Sequence, residues 1–582
     1  MRVCRISFAA ALIIAGSFSA AAQGPQLPQG RTQPGPATPS SPGSNARPQS
    51  PSGKVAGRVS AADGKPLSRA TVTLMAQPSK MTRITQTDRD GRYEFLNVSA
   101  GRYGVSPTKE GYVFVSENPF DTGKGIEIAD GEVVDRQDFV LSRGSVITGR
   151  ITDEFGEPVA NVMVQAARYQ FRPSGARQLV MGSTGNYYSP AATNDRGEYR
   201  IFGLKPGLYY VSARTMDMSR AIPVGQGISG LDSDDGLATT FYPGTANVAE
   251  AQTIQLGLMH EASASFALVP ARMARVSGTI VDSQGRPLSR TFVALRSTSA
   301  LTGGWINRNT TAPLSAGGTF ALANVAPGDY SLEVRPMPDT PGVSPPTANE
   351  YASVPVAVAG DDLNLAISTA PGISVSGRVI FEGGSNAALQ NLRISAAPEE
   401  DARNIVTFSG PDGGQVASDG QFHIPSVYGR VVFRTSVLPV AVMLKSVTLN
   451  GVDITNTPFD ATKREDVTNL EVRLVDKQGR IFAFARNQRG EIQYNYRLVL
   501  YPANPRGGDI TVRFQHNASP NAKGEVNINR MPPGDYVGLA VKGVQPGEEW
   551  DPELRKRIEQ LGKRFTLKEG ETLQLEVPYV EE

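Results

Sequence analysis

Asn194-Asp195-Arg196-Gly197-Glu198-Tyr199-Arg200-Ile201-Phe202-Gly203-Leu204-Lys205-Pro206-Gly207-Leu208-Tyr209-Tyr210-Val211 is the stretch from which the rest of the chain can be read. Large apolar residues fall on alternate positions, Tyr199 and Ile201 before Pro206-Gly207, then Tyr209 and Val211 after it. Alternation of period two, bounded by Asp/Gly and Pro/Gly, indicates two half-buried strands joined as a hairpin. Leu204 is the further candidate for the inner face.

The same pattern returns along the chain: Gly91-Arg92-Tyr93-Glu94-Phe95 with Gly101-Arg102-Tyr103, then Gly318-Thr319-Phe320 with Gly328-Asp329-Tyr330. Gly420-Gln421-Phe422 with Gly429-Arg430-Val431 is a weaker copy, and Pro533-Gly534-Asp535-Tyr536 marks the most divergent one. The two glycines of a copy are ten residues apart in four copies and nine in the fourth. Each copy is preceded by a Gly-x-Val-like opening at Gly57, Gly149, Gly278, Gly377 and Gly479, at intervals of 92, 129, 99 and 102 residues. Units of this length, with turn signals every 8 to 12 residues, have the size and punctuation of small β-sandwiches.

Composition agrees with a chain of soluble β domains. Among 582 residues, 60 Gly and 42 Pro are spread along the sequence, as many short strands joined by turns require. A net charge of +2 gives no basis for a nucleic-acid partner. Arg2 and Arg5 precede the apolar run from Ile6 to Phe18, and Ala20-Ala21-Ala22 supplies small residues for cleavage, so residues 1–22 read as a secretory signal peptide. Cys4, the single cysteine, lies within it, and the mature chain is expected to carry no disulfide. No later run approaches the length of a membrane span.

Residues 23–53 are rich in Pro, Gln, Gly and Ser and form a disordered linker in this reading. Five sandwiches follow, at residues 54–143, 144–271, 272–370, 371–475 and 476–582. The second carries two insertions, about 168–192 and 214–251. Asn450-Gly451 between alternating apolar residues indicates a hairpin in the fourth. A helix is expected at 552–561, capped by Asp551, begun by Pro552 and ended by Gly562, with Leu554, Ile558 and Leu561 on one face.

The set Gly-x-Val, Gly-x-Pro-Leu, Asp-x-x-Gly-x-Tyr-x-Phe and Pro-Gly-x-Tyr resembles the carboxypeptidase regulatory-like domain, most clearly in the first three copies. It is also similar to the collagen-adhesin B-type repeats. The resemblance implies an all-β chain of tandem transthyretin-like, Ig-like Greek-key β-sandwiches with one short C-terminal helix. It also implies an accessory domain that performs no chemistry itself. Some adhesin repeats join a strand Lys to an Asn; Lys54 stands near that position, but the second to fourth copies have no matching Lys.

The chemistry-bearing residues are sparse. His260, His423 and His516 fall in three different copies, outside any zinc-peptidase spacing. No Gly-x-Ser-x-Gly elbow and no phosphate-binding Gly-rich loop occurs. No cofactor, metal or catalytic residue is therefore assigned. Asp88-Arg89-Asp90-Gly91 and Asp232-Ser233-Asp234-Asp235-Gly236 carry enough oxygen ligands for calcium, yet Asn194 and Arg196 replace the first pair in the second copy, and Asp beside Gly is ordinary turn chemistry.

Binding is sought in the loops. The insertions hold Tyr169, Phe171, Tyr187, Tyr188, Phe241 and Tyr242, and Trp305 follows Gly303-Gly304 in the third copy. Aromatic faces stack on sugars, so Tyr187, Tyr188, Tyr242 and Trp305 are the candidate ligand residues. The sequence points to a non-catalytic exported scaffold, adhesion or interaction protein. Its partner would be an envelope protein or a polysaccharide, with no nucleic acid and no membrane span once the signal peptide is removed.

Overall fold

The computed structural model describes residues 53–581 apart from 78–80, 117–122, 172–176, 182–190, 216–234, 289–290, 299–309, 316, 337–349, 384–391, 399–412, 436–437, 439–441, 464, 504–515 and 522. The described residues are overwhelmingly strand, and the architecture is all-β with one α-helix, Pro552–Leu561.

In the first sandwich the opening strand Gly53–Ala61 runs antiparallel to Arg92–Val98 and parallel to Phe139–Arg143. The facing sheet holds Thr82–Gln86, Thr71–Gln77, Gly101–Thr108 and Lys124–Ile128 in that order. Val55, Leu74, Phe95 and Phe139 fill the space between. The same opening-strand neighbours, one antiparallel and one parallel, recur in the other four copies. Separate cores form around Ile147 and Tyr209, Val276 and Leu332, Val375 and Phe433, and Leu498 and Tyr536.

Contrary to expectation, residues 194–211 are not a hairpin. Glu198–Leu204 hydrogen-bonds to the opening strand Ser145–Thr152, whereas Gly207–Thr215 belongs to the facing sheet, paired with Val162–Phe171. The chain crosses between sheets at Lys205-Pro206, and the corresponding strands of the other copies are likewise unpaired with each other. Tyr199, Ile201, Leu204, Tyr209 and Val211 are all buried. Alternation reports only which face is buried, and both sheets of a sandwich face one core, so period two cannot distinguish a hairpin from a crossing.

A tyrosine fixes four of the five crossings. The Tyr209 hydroxyl donates to the Lys205 carbonyl at 2.8 Å; Tyr103 donates to Ser99 at 2.9 Å, Tyr330 to Ala326 at 2.8 Å and Tyr536 to Pro532 at 2.7 Å. Gly101, Gly207, Gly328 and Gly534 sit at φ 154°, 146°, 156° and 158°. That conformation suits glycine, and in the first, third and fifth copies the tyrosine ring lies against the open Cα. The fourth copy departs: Val431 replaces the tyrosine, Gly429 is at φ 65°, and Tyr428 stacks on Tyr351 of the third sandwich at 5.1 Å.

The opening glycine answers a second constraint. Gly57 pairs with Tyr93, Gly149 with Tyr199, Gly278 with Phe320 and Gly377 with Phe422. A methyl added at Gly149 would lie 2.1 Å from the Ala264 carbonyl and 2.8 Å from the Tyr199 ring. In the fifth copy this position is Ala483, opposite Val526, and not Gly479. Gly479 faces Met531 at the strand's irregularity, as Gly53 faces Val98, so the last repeat interval is 106 residues rather than 102. A small residue opposite a smaller apolar partner satisfies the same close approach.

The helix starts as expected, with the Asp551 side chain accepting the Glu553 N–H. Leu554 and Ile558 pack on Val499, Val537 and Leu539, covering the outside of the fifth sandwich, but Leu561 is exposed. Gly562 is at φ −75°, so left-handed capping is not its role; an added Cβ would meet the Ile558 carbonyl at 2.5 Å. Thr572–Glu581 pairs with both Gly479–Arg486 and Gly534–Lys542, joining the two sheets of this copy.

Two substitutions test these constraints by urea unfolding. Gly149→Ala should cost more than about 2 kcal/mol through overpacking against backbone, and Tyr209→Phe about 1 kcal/mol through one lost hydrogen bond. Unchanged midpoints for both would contradict the packing described here.

Candidate functional site

The polar groups that could carry chemistry are largely engaged in holding turns. The Asp88 carboxylate accepts the N–H groups of Asp90 and Arg92 at 2.9 and 2.8 Å. Asn194 accepts from Arg196 and Glu198, and Asn521 from Lys523 and Glu525, in the same arrangement. An amide oxygen serves as well as a carboxylate, because the turn needs an acceptor and not a charge. Among the described residues no group of three His, Cys, Asp or Glu is placed to hold a metal ion. Asp232 lies outside the described residues.

The histidines stay apart in the fold. His423 Nδ1 lies 2.9 Å from Ser376 Oγ in the fourth sandwich, the His260 backbone N–H donates to Ser145 Oγ in the second, and His516 begins an edge strand of the fifth. Lys54 forms an ion pair with Glu94 at 2.7 Å on the solvent side. A cleft of about 200 Å³ in the fourth sandwich is lined by Ile373, Asn450, Asp460 and Asp466. Two of its carboxylates are engaged: Asp466 accepts the Ser374 N–H and Asp460 that of Thr462.

Of the four candidate ligand residues, Tyr187, Tyr188 and Trp305 lie outside the described residues. Tyr242 is half-buried against the second core, its ring edge-on to Phe266 at 6.0 Å. Phe241 and Tyr169 of the insertions also turn inward. Phe241 is buried with Ala167 and Leu179, and Tyr169 packs edge-on against Tyr210 at 4.9 Å. Arg177 lies over the Phe171 ring at 5.3 Å. These insertions build a second small core on the outer face of the sheet.

Several interactions leave no local mark in the sequence. Glu350 is buried and accepts from Ser283 and Thr369 hydroxyls at 2.7 and 2.8 Å. Glu549 is buried beside the last helix; burial raises its pKa, opposed by N–H donors and by Arg497. The Arg530 guanidinium donates to the Val442 carbonyl of the fourth sandwich at 2.6 Å, and Lys445 reaches Glu569 at 3.6 Å. Long-range pairs of this kind leave no local periodicity to detect.

Residues 54–142 match the carboxypeptidase regulatory-like domain. The other four sandwiches repeat its strand order around their own cores. No curated protein matches the chain. Among solved structures, the Bacillus anthracis TIE protein is similar at 13% identity over 55% of this chain, with a TM-score of 0.15; the match spans 51% of that protein, about half its length. A streptococcal ancillary pilin is similar at 10% identity, 55% of this chain, 99% of that one and a TM-score of 0.21. For BcpA, the major pilin subunit of Bacillus cereus, the values are 12%, 55%, 99% and 0.15.

Two measurements check the polar assignments. Asp88→Asn should leave stability within about 0.5 kcal/mol, the range of an ordinary surface change, and calcium should not alter the melting of either form. For Glu549 the folded pKa lies above the unfolded one, so its contribution is fully present below the usual carboxylate range, near about 4.3, and is lost as pH rises through the folded pKa. Glu549→Gln should remove that decline from a pH series of thermal melts; an identical slope in both proteins would refute it.

Proposed function

We propose that the chain is a non-catalytic, exported scaffold of the bacterial envelope, acting in adhesion or protein interaction. The observation that carries this reading is what the five copies share. They repeat the turn glycines and, in four copies each, the corner tyrosine and the glycine-to-ring pair, all of which serve the fold. The three histidines and the described carboxylates are not repeated as a set that could do chemistry. Export rests on the basic start, the apolar run Ile6 to Phe18 and the small residues before Gln23. Among the described residues no helix is long and apolar enough to cross a membrane.

Pull-down of the mature protein against envelope extracts should recover a protein partner. Peptide substrates incubated with it should show no chelator-sensitive turnover. Turnover lost on His260→Ala would overturn the non-catalytic reading.

Polysaccharide capture is the second reading, supported by the aromatic residues of the insertions. Since Tyr242 serves the second core, Tyr187, Tyr188 and Trp305 are left to carry it. On a glycan array, sugar binding that disappears with Tyr187→Ala or Trp305→Ala would make this the better account; no binding by the wild type would remove it.

A further inference from the structure

Two of the places where the repeat plan is broken are the first insertion of the second sandwich and the segment before the helix in the fifth. Val162–Phe171 is ten residues long, and its distal half pairs with Arg177–Met181 from Ala167↔Met181 to Phe171↔Arg177. The result is a two-stranded arm. Its first half covers the second core through Val162, Val164 and Ala166. Arg168 then lies over the Tyr209 ring at 5.5 Å, at the crossing beside Gly207. By alternation, Gln170 faces the same way as Arg168 but one step further out, past the end of the core.

The residue packed on Gln170 comes from the fifth sandwich. An added Cβ at Gly547 would lie 2.6 Å from Gln170 Cβ and 2.8 Å from its Cγ. Gly547 is buried and its φ is +96°, so glycine is favoured there both by backbone conformation and by the approach of another domain. The loop is held firmly. The Glu549 carboxylate accepts the Gly547 N–H at 2.5 Å, Glu548 accepts the Gln545 N–H at 2.6 Å, and the Tyr501 hydroxyl donates to the Glu549 carbonyl. Such internal bonding presents Gly547 on a fixed backbone, and the helix that follows anchors the loop to the sheet through Leu554 and Ile558.

We propose that the arm of the second sandwich is an interaction surface whose partner is the Gln545–Asp551 loop of the fifth sandwich in the same chain. The contact closes sandwiches two to five into one body instead of leaving them as a flexible string. The two departures from the repeat then have one explanation, since each supplies half of the contact. The inference goes beyond the scaffold reading and does not depend on it, because it concerns the chain's own geometry whatever it binds.

The test is electron–electron distance measurement on the full chain carrying Cys4→Ser, with spin labels at Arg177→Cys in the arm and Glu553→Cys at the helix start. Closure gives one narrow distance distribution, retained when labelled chains are diluted with unlabelled ones. Gln170→Trp, which adds bulk to the arm outside the core, should abolish the narrow peak while leaving the melting temperature unchanged. Gly547→Val should also abolish the peak, but with a lowered melting temperature, because a β-branched residue is strained at φ +96°. A broad distribution in the parent would overturn the proposal, as would loss of the signal on dilution, which would place the contact between chains. A narrow peak that survives Gln170→Trp in a folded protein would also overturn it.

Discussion

Every sandwich depends on a crossing between two sheets made without leaving polar backbone groups stranded. A hairpin pairs its own two strands; a crossing does not, so each strand must find its hydrogen bonds in a different sheet. At Lys205 the exposed carbonyl is taken by the hydroxyl of Tyr209, whose ring is already in the core. One side chain thus supplies apolar packing at one end and a hydrogen bond at the other. The fourth copy lacks that tyrosine and adopts a different glycine conformation, and its displaced aromatic, Tyr428, meets the third sandwich.

The second constraint is the closeness of the parallel neighbour to the opening strand. At Gly57, Gly149, Gly278 and Gly377 the approaching carbonyl leaves no room for a methyl, and an aromatic ring lies opposite. In the first two copies the ring's hydroxyl also donates to the approaching segment, Tyr93 to Gln137 at 2.7 Å and Tyr199 to Ala264 at 2.5 Å. Burial pushes both phenol pKa values well above their ordinary range, so these hydroxyls remain donors. Glycine, ring and carbonyl form one structural unit, and its repetition is why the motif reads so strongly in the sequence.

The inward residues, the repeat and the helix cap at Asp551 were legible because each leaves a local pattern: period two, fixed spacing and Asp before Pro. The sheet to which a strand belongs was not, since Tyr199 and Tyr209 would be buried in a hairpin or a crossing alike. Gly479 misled for a related reason. A glycine before an apolar residue looks the same at a strand irregularity as at a close approach, and only the partner across the sheet separates Met531 from Val526. Leu561 had the right helical spacing yet lies beyond the surface that Leu554 and Ile558 cover. Of the candidate ligand residues, Tyr242 shows how an aromatic in an insertion can serve packing: Phe266 gives it a place in the core.

The central claim is that five sandwiches each hold themselves together by their own core and crossing, with the interactions between them added on top. Pulling the mature chain from both ends in a single-molecule force experiment tests it directly. The account predicts five unfolding events, each releasing the length of one unit of about 90 to 130 residues, or roughly 32 to 47 nm at about 3.6 Å per residue. Opening of the contact between the second and fifth sandwiches should come before them. A single event, or steps that release two neighbouring units together, would contradict it.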